Sequence, residues 1–270
     1  MMNEPRLDAR DVAVWERLLI RARLRSRERE HRRLVDAARL VAERVLARAE
    51  RPAVYWSGGK DSTAMAALLL SLVPSVQLVS EKDDLDYPGE EAYVTGLAAR
   101  WGARLEILRP EVSPSAWIAG HAGEMAADDD FHSRRTALSK ACFYGLVERD
   151  NARRDAIFLG LRAEESAARQ RGRAAHGLDY VRADGLRVCS PIGDWTGLDV
   201  FAYLLELEVE PFAVYRCCGY MHEREPWRVR KSWWLPGDRG KHGGTSWLRR
   251  YWPSLYRRLV EWFPLAQGLA

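Results

Sequence analysis

A short apolar run, PAVYWS, ends at Ser57; two glycines follow, and Lys60, Asp61 and Ser62 then open an alanine-rich apolar stretch. Read along the chain this is strand, tight turn, helix, and it constrains the fold more than any other stretch. A turn with so little side chain exposes backbone N–H groups. The first N–H groups of a helix have no intrahelical partner and carry the positive end of its dipole. Glycine lets the backbone approach an anion closely, so the combination is a phosphate cradle. Ser57, Gly58, Gly59, Lys60, Asp61 and Ser62 are the expected binding residues. Lys60 adds a full charge and the serines add hydroxyls, while Asp61 either orients Lys60 or helps hold a metal ion. The spacing differs from the longer Walker loop, in which four residues separate the glycines.

The alternation recurs. SVQLVSE, RLEILRP and DAIFLGLR are each short enough for a buried strand, and helical stretches over 61–73, 89–101 and 134–150 lie between them. A further strand, LRVCSPI (186–192), precedes a helix near 197–207. Strand alternating with helix predicts an α/β three-layer sandwich with a mostly parallel, doubly wound sheet. Residues 9–50 read as an N-terminal helical extension, in which the charged run RARLRSREREHRR (21–33) is a solvated face or a helix–helix connection. Residues 211–247 are rich in Gly, Pro, Trp, Arg and His, and 246–264 reads as a terminal helix with a proline near its start. The expected organisation is 1–50, 51–210 and 211–270.

A chain of 270 residues can bury a substantial core. A net charge of +4 is too mild to imply nucleic acid. The basic residues are almost all arginine; lysine occurs only at positions 60, 82, 140, 231 and 241, so a lysine inside a motif stands out. No apolar run approaches the roughly 20 residues of a membrane span, and MMNEPRLDARD lacks the apolar core of a secretory signal. A cytoplasmic location is the expectation. Cysteines at 142, 189, 217 and 218 do not suggest a disulfide framework.

SGGKDS resembles the PP-loop of the ATP pyrophosphatase superfamily, and the rest of the chain is most similar to its PAPS reductase branch. That resemblance implies an adenine nucleotide, its phosphates on the loop. SEKDDLDYPGEEAYV (80–94) resembles the family's acidic turn, making Asp83, Asp84 and Asp86 candidates beside the nucleoside. GLRAEESAARQR (160–171) matches the family pattern at Gly160, Arg162, Glu165, Ser166 and Arg169, where a guanidinium at a strand's carboxyl end suits phosphate or sulfate oxygens. Lys140, in SRRTALSKACFYG (133–145), is a further phosphate candidate. SPIGDWTGLDVFAYL (190–204) supports the fold alone: Trp195, Val200 and Tyr203 read as packing residues, Asp194 and Asp199 as capping or structural.

The branch's reductases use a cysteine thiolate, and RCCGYMHE (216–223) shares only part of their motif. Cys218 or Cys217 is the candidate nucleophile, its pKa lowered by nearby arginines and His222, or else a buried small hydrophobe. Adjacent and scattered cysteines depart from the spacing of an iron–sulfur cluster. The leading expectation is therefore an enzyme that adenylates an acceptor from ATP and releases pyrophosphate, with Lys60 and Mg²⁺ stabilising the leaving group and sulfur transfer as a possible sequel. The rival is a PAPS or APS reductase served by a thiol or sulfur-donor protein. A third reading is a nucleotide-binding subunit of a nucleic-acid-modifying complex, since the Arg/Trp-rich stretch 224–253 has the residue types that stack on bases.

Overall fold

The computed structural model describes residues 5–121, 137–138, 140–220 and 244–262. Asp8 caps α1 (Ala9–Ser26): its carboxylate accepts the N–H groups of Arg10 and Asp11 at 2.9 and 3.2 Å, and Asp11 accepts the Asp8 N–H at 3.0 Å. The charged run is a helix–helix connection, for the chain breaks at Arg27 and Glu28 and resumes as α2 (Arg29–Leu46). There Arg25 pairs with Glu28 and Glu30, and its Nε donates to the buried Asp199 at 2.7 Å.

The α/β body then runs β1 (Pro52–Tyr55), α3 (Lys60–Leu72), β2 (Gln77–Glu81), α4 (Glu90–Trp101), β3 (Leu105–Leu108) and α5 (Pro114–Gly120). A π-turn (Lys140–Tyr144) leads into α6 (Gly145–Asn151), followed by β4 (Ala156–Leu159), a 3-10 turn (Ala163–Glu165), α7 (Ala167–His176), β5 (Asp179–Val181), β6 (Arg187–Cys189) and α8 (Gly197–Glu206). A second 3-10 turn (Ala213–Arg216), α9 (Gly244–Tyr251) and α10 (Pro253–Trp262) complete the described elements. The sheet has the order β3-β2-β1-β4-β6-β5, with β5 antiparallel to β6 and every other pair parallel. It is the mostly parallel α/β sheet, with helices on both sides, that the alternating pattern predicts.

Three elements have no forerunner in the apolar pattern. β5 is a three-residue edge strand without a buried residue, α7 buries none of its side chains, and α5 is only seven residues long. The expected single terminal helix is two helices meeting at Trp252, because Pro253 has no N–H to continue the first and suits the start of the second. The expected helix over 134–150 lies partly outside the described residues.

Two cores result. In one, α3 is buried from Ser62 to Leu69, as its small alanines permit, between the sheet, α2 and α8. The other joins Leu18 of α1, Phe201 of α8, Tyr215, Cys217, and Leu248 and Tyr251 of α9. The sheet sets the location of the site. From β1 the chain moves to β2 and β3 on one side, then returns to β4 on the other. Ligands of open parallel sheets collect at the carboxyl ends of the strands where this reversal occurs.

Candidate functional site

Both motif turns open at that reversal, Ser57–Gly59 after β1 and Gly160–Arg162 after β4. Gly58 sits at φ +82°, a conformation that L side chains rarely adopt, and a Cβ there would lie 2.8 Å from Val94. Gly160 is held by proximity instead: its Cβ would lie 2.7 Å from both the nitrogen and the Cα of Ser62. Only glycine lets the end of β4 rest against the first turn of α3, so the two motifs form one unit.

Charge pairing completes that unit. Lys60 is 3% exposed, and its Nζ pairs with one Asp61 oxygen at 2.6 Å. The other Asp61 oxygen accepts from Arg162 Nε at 2.6 Å. Burial pushes the Lys60 ammonium pKa down against the attraction of Asp61. Burial also works against the Asp61 carboxylate, but Lys60 and Arg162 outweigh it and keep its pKa below the ordinary range. Arg162, also 3% exposed, donates in addition to Glu164 and to the Trp195 carbonyl at 3.3 Å. Glu164 in turn accepts the Gly197 N–H of α8 at 2.6 Å.

Arg162 thus fixes Asp61, and through it Lys60. Asp61 has both oxygens occupied in this way. With a cation on each oxygen it does not have the free donor set of a metal ligand, and among the described residues no three His, Cys, Asp or Glu side chains are grouped to hold a metal ion. Ser57 and Ser62 hydroxyls lie 3.0 Å apart, and Ser62 Oγ donates to the Gly59 carbonyl at 3.0 Å. Glu165 accepts the Arg162 N–H at 3.0 Å and pairs with Arg169 at 3.3 Å, so this carboxylate braces its own turn.

At the acidic turn, Asp83 accepts the Leu85 N–H at 2.6 Å, and Asp84 accepts hydroxyl bonds from Ser113 and Ser115 beside the start of α5. These bonds shape the turn. Lys140 is exposed on the π-turn, and among the described residues it makes no ion pair.

Sequence reasoning missed two contributors. Lys82 is fully buried at the end of β2; its Nζ donates to Glu90 of α4 at 2.5 Å and to the Ser57 carbonyl at 3.4 Å. Its signal was present, since a lysine is rare in this chain. Tyr215 had none: its hydroxyl accepts the Lys60 N–H at 2.9 Å, from a segment more than a hundred residues away.

The cysteine pair departs from what a nucleophile requires. Cys217 and Cys218 are 0% and 3% exposed. Burial, and then the Asp11 carboxylate, push the Cys218 thiol up to about 12 and the Cys217 thiol further. Cys142 and Cys189 are also buried, with thiols raised chiefly by burial to about 11 and about 12. Among the described residues the shift is upward, from burial first and from Asp11 second; His222 lies outside the described residues. Of the arginines proposed to meet bases, Arg249 and Arg250 lie over Tyr256 and Tyr220 of this chain, and 221–243 lies outside the described residues. No helix among the described residues is long and apolar enough to cross a membrane.

Comparison with known proteins identifies the family and the fold. Residues 51–220 match the model of the phosphoadenosine phosphosulfate reductase domain. The chain is 29% identical over 216 residues to a protein of Streptomyces lavendulae described as sulfate adenylyltransferase subunit 2; the match covers 71% of this chain and 63% of that protein's length. In fold it resembles the phosphoadenylyl-sulfate reductase of Candida auris, with a TM-score of 0.51 and 17% identity over 68% of this chain and 89% of the other. It likewise resembles the FMN adenylyltransferase of Candida glabrata solved with FAD and inorganic pyrophosphate, with a TM-score of 0.50 and 12% identity over 75% and 69% of the two chains.

Proposed function

The chain belongs to the phosphoadenosine phosphosulfate reductase domain family, and from that premise we propose that it transfers the adenylyl group of ATP to an acceptor and releases pyrophosphate. One observation favours this over reduction of a sulfonucleotide. All four cysteines are buried with raised thiol pKa values, whereas Lys60 keeps a carboxylate partner at the mouth of the glycine turn.

In this reading the acceptor oxygen attacks the α-phosphorus, a new P–O bond forms, and the bond to the bridging oxygen breaks. Negative charge builds on the departing pyrophosphate. The turn of Gly58 and Gly59 holds those phosphates, and the Lys60 ammonium faces the growing charge in a site largely withdrawn from water, where such stabilisation is largest. Arg162 and Asp61 are positioning residues: they hold Lys60 and do not touch the nucleotide. Lys82 fixes the loop from the other side through the Ser57 carbonyl.

Sulfate is the first acceptor to test, since the Streptomyces relative is described as a sulfate adenylyltransferase subunit. That description also suggests that the chain acts with a partner subunit. Pyrophosphate release from ATP is measured with sulfate and other oxyanions, and in reverse as ATP formation from adenylyl sulfate and pyrophosphate. Lys60→Ala is expected to lower the rate by about 10²–10³, the usual effect of losing one preorganised charge-stabilising donor. Thiol-dependent sulfite release from PAPS that is lost in Cys218→Ala, with no turnover of ATP, would replace this reading by the reductase.

A further inference from the structure

We propose that Tyr215 is a built-in competitor for the phosphate site: its hydroxyl occupies the place of a phosphate oxygen on the Lys60 N–H, and an incoming phosphate must displace it. The inference rests on the reading that the glycine turn binds phosphate, and adds an occupant that the free protein supplies itself.

Three contacts place the hydroxyl within the cradle. It accepts the Lys60 N–H at 2.9 Å, at the first residue of α3, where the helix has an N–H without an intrahelical partner. A Cβ built on Gly59 would lie 3.2 Å from the same oxygen, so the hydroxyl sits over the glycine turn that a phosphate would use. The Lys60 ammonium lies 5.6 Å from the centre of the Tyr215 ring. Two oxygens cannot share one N–H at full strength. A phosphate oxygen, charged, makes the stronger bond and wins the exchange.

The ring has no free path outward. Tyr215 is buried, with Phe201 edge-on at 6.2 Å. Its turn is held on one side by Phe212 against Tyr87 and Tyr93, with the Tyr93 hydroxyl bonded to the Glu210 carbonyl at 2.9 Å. On the other side the Gly219 N–H donates to Asp11 of α1 at 2.7 Å, and Trp247 Nε1 donates to the Cys217 carbonyl at 2.8 Å. Displacing the hydroxyl therefore loosens the segment that carries Cys217 and Cys218. Phosphate binding and the docking of this segment on α1 and α9 oppose each other, and the coupling is reciprocal.

Isothermal titration of the full chain with inorganic pyrophosphate and with ATP tests the proposal. Tyr215→Phe keeps the ring and removes the competing oxygen, so it is expected to tighten both ligands by about three- to tenfold, the worth of one neutral hydrogen bond. Equal or weaker binding by the variant overturns the proposal and leaves the phosphate reading standing. Binding by the variant alone supports both, and binding by neither removes both. The wild-type chain gives a second measurement that does not depend on the variant folding. Pyrophosphate is expected to accelerate thiol labelling at Cys217 and Cys218, located by mass spectrometry, while Cys189 in β6 stays unreactive. Labelling unchanged by pyrophosphate overturns the proposal.

Discussion

Lys60 and the Cys217–Cys218 pair are nearly equally withdrawn from water, and each has an aspartate as its charged neighbour. Burial disfavours the charged form in both places, but the aspartate acts with opposite sign in each. Asp61 lies 2.6 Å from the Lys60 ammonium and works against the cost of burying a cation. Asp11 lies beside the cysteines, where a thiolate would face a second negative charge, and it adds to the cost of burial. Burial sets the direction of the shift, and the sign of the neighbour relative to the charge that chemistry requires sets whether that shift is opposed or reinforced.

The comparison is broken most severely at Arg162. Arg162→Gln leaves one Asp61 oxygen without its cation and Glu164 without its partner, and Arg162 itself is buried. Losing one member of a buried ion pair costs on the order of 3–5 kcal/mol. Thermal unfolding is expected to show that loss, and titration with pyrophosphate to show weakened binding, because Lys60 then holds Asp61 alone. Unchanged stability would mean that Arg162 is free to meet the nucleotide directly. Gly160→Ala comes next. Its methyl would meet backbone atoms of Ser62 at 2.7 Å, and backbone cannot rotate away as a side chain can. Overpacking of this kind costs about 1–3 kcal/mol. Pyrophosphate affinity is expected to fall with stability, since the displaced atoms are the loop itself.

Much of this was legible in the sequence. The five parallel strands were legible because each is a short apolar run between turns, and SGGKDS because few other arrangements place glycine, lysine and serine between a strand and a helix. What the pattern carried poorly was the partnership of charges. GLRAEESAAR names Arg162 and Glu165 but not the direction of the guanidinium, which depends on Gly160 bringing β4 onto α3. Tyr215 was illegible because its contact with Lys60 spans the sheet and the second core. For a related reason the sequence left open whether the cysteines are nucleophiles or buried small hydrophobes: Asp11, which lies beside them in space, comes from the first helix.

The smallest predicted effect tests that last point. Burial and then Asp11 push the Cys218 thiol up to about 12 from the ordinary 9.0. Alkylation needs the thiolate, so its rate in the native protein is expected to keep climbing through pH 9 and 10, where a solvent-exposed cysteine levels off. Stability follows with a definite sign. The folded pKa is the higher one, so the fold holds the proton more tightly than the unfolded chain. The thiol's contribution is complete below pH 9 and is lost as pH rises toward 12, at up to about 1.4 kcal/mol per pH unit. Near neutrality neither state ionises, so nothing is felt there. Urea midpoints at pH 8 and pH 10, compared between the wild type and Cys218→Ala, isolate the effect: the wild type should lose more stability over that interval. A native alkylation profile that levels off below pH 9 would mean that a cation reaches Cys218 after all, and the nucleophile would have to be sought at the pair again.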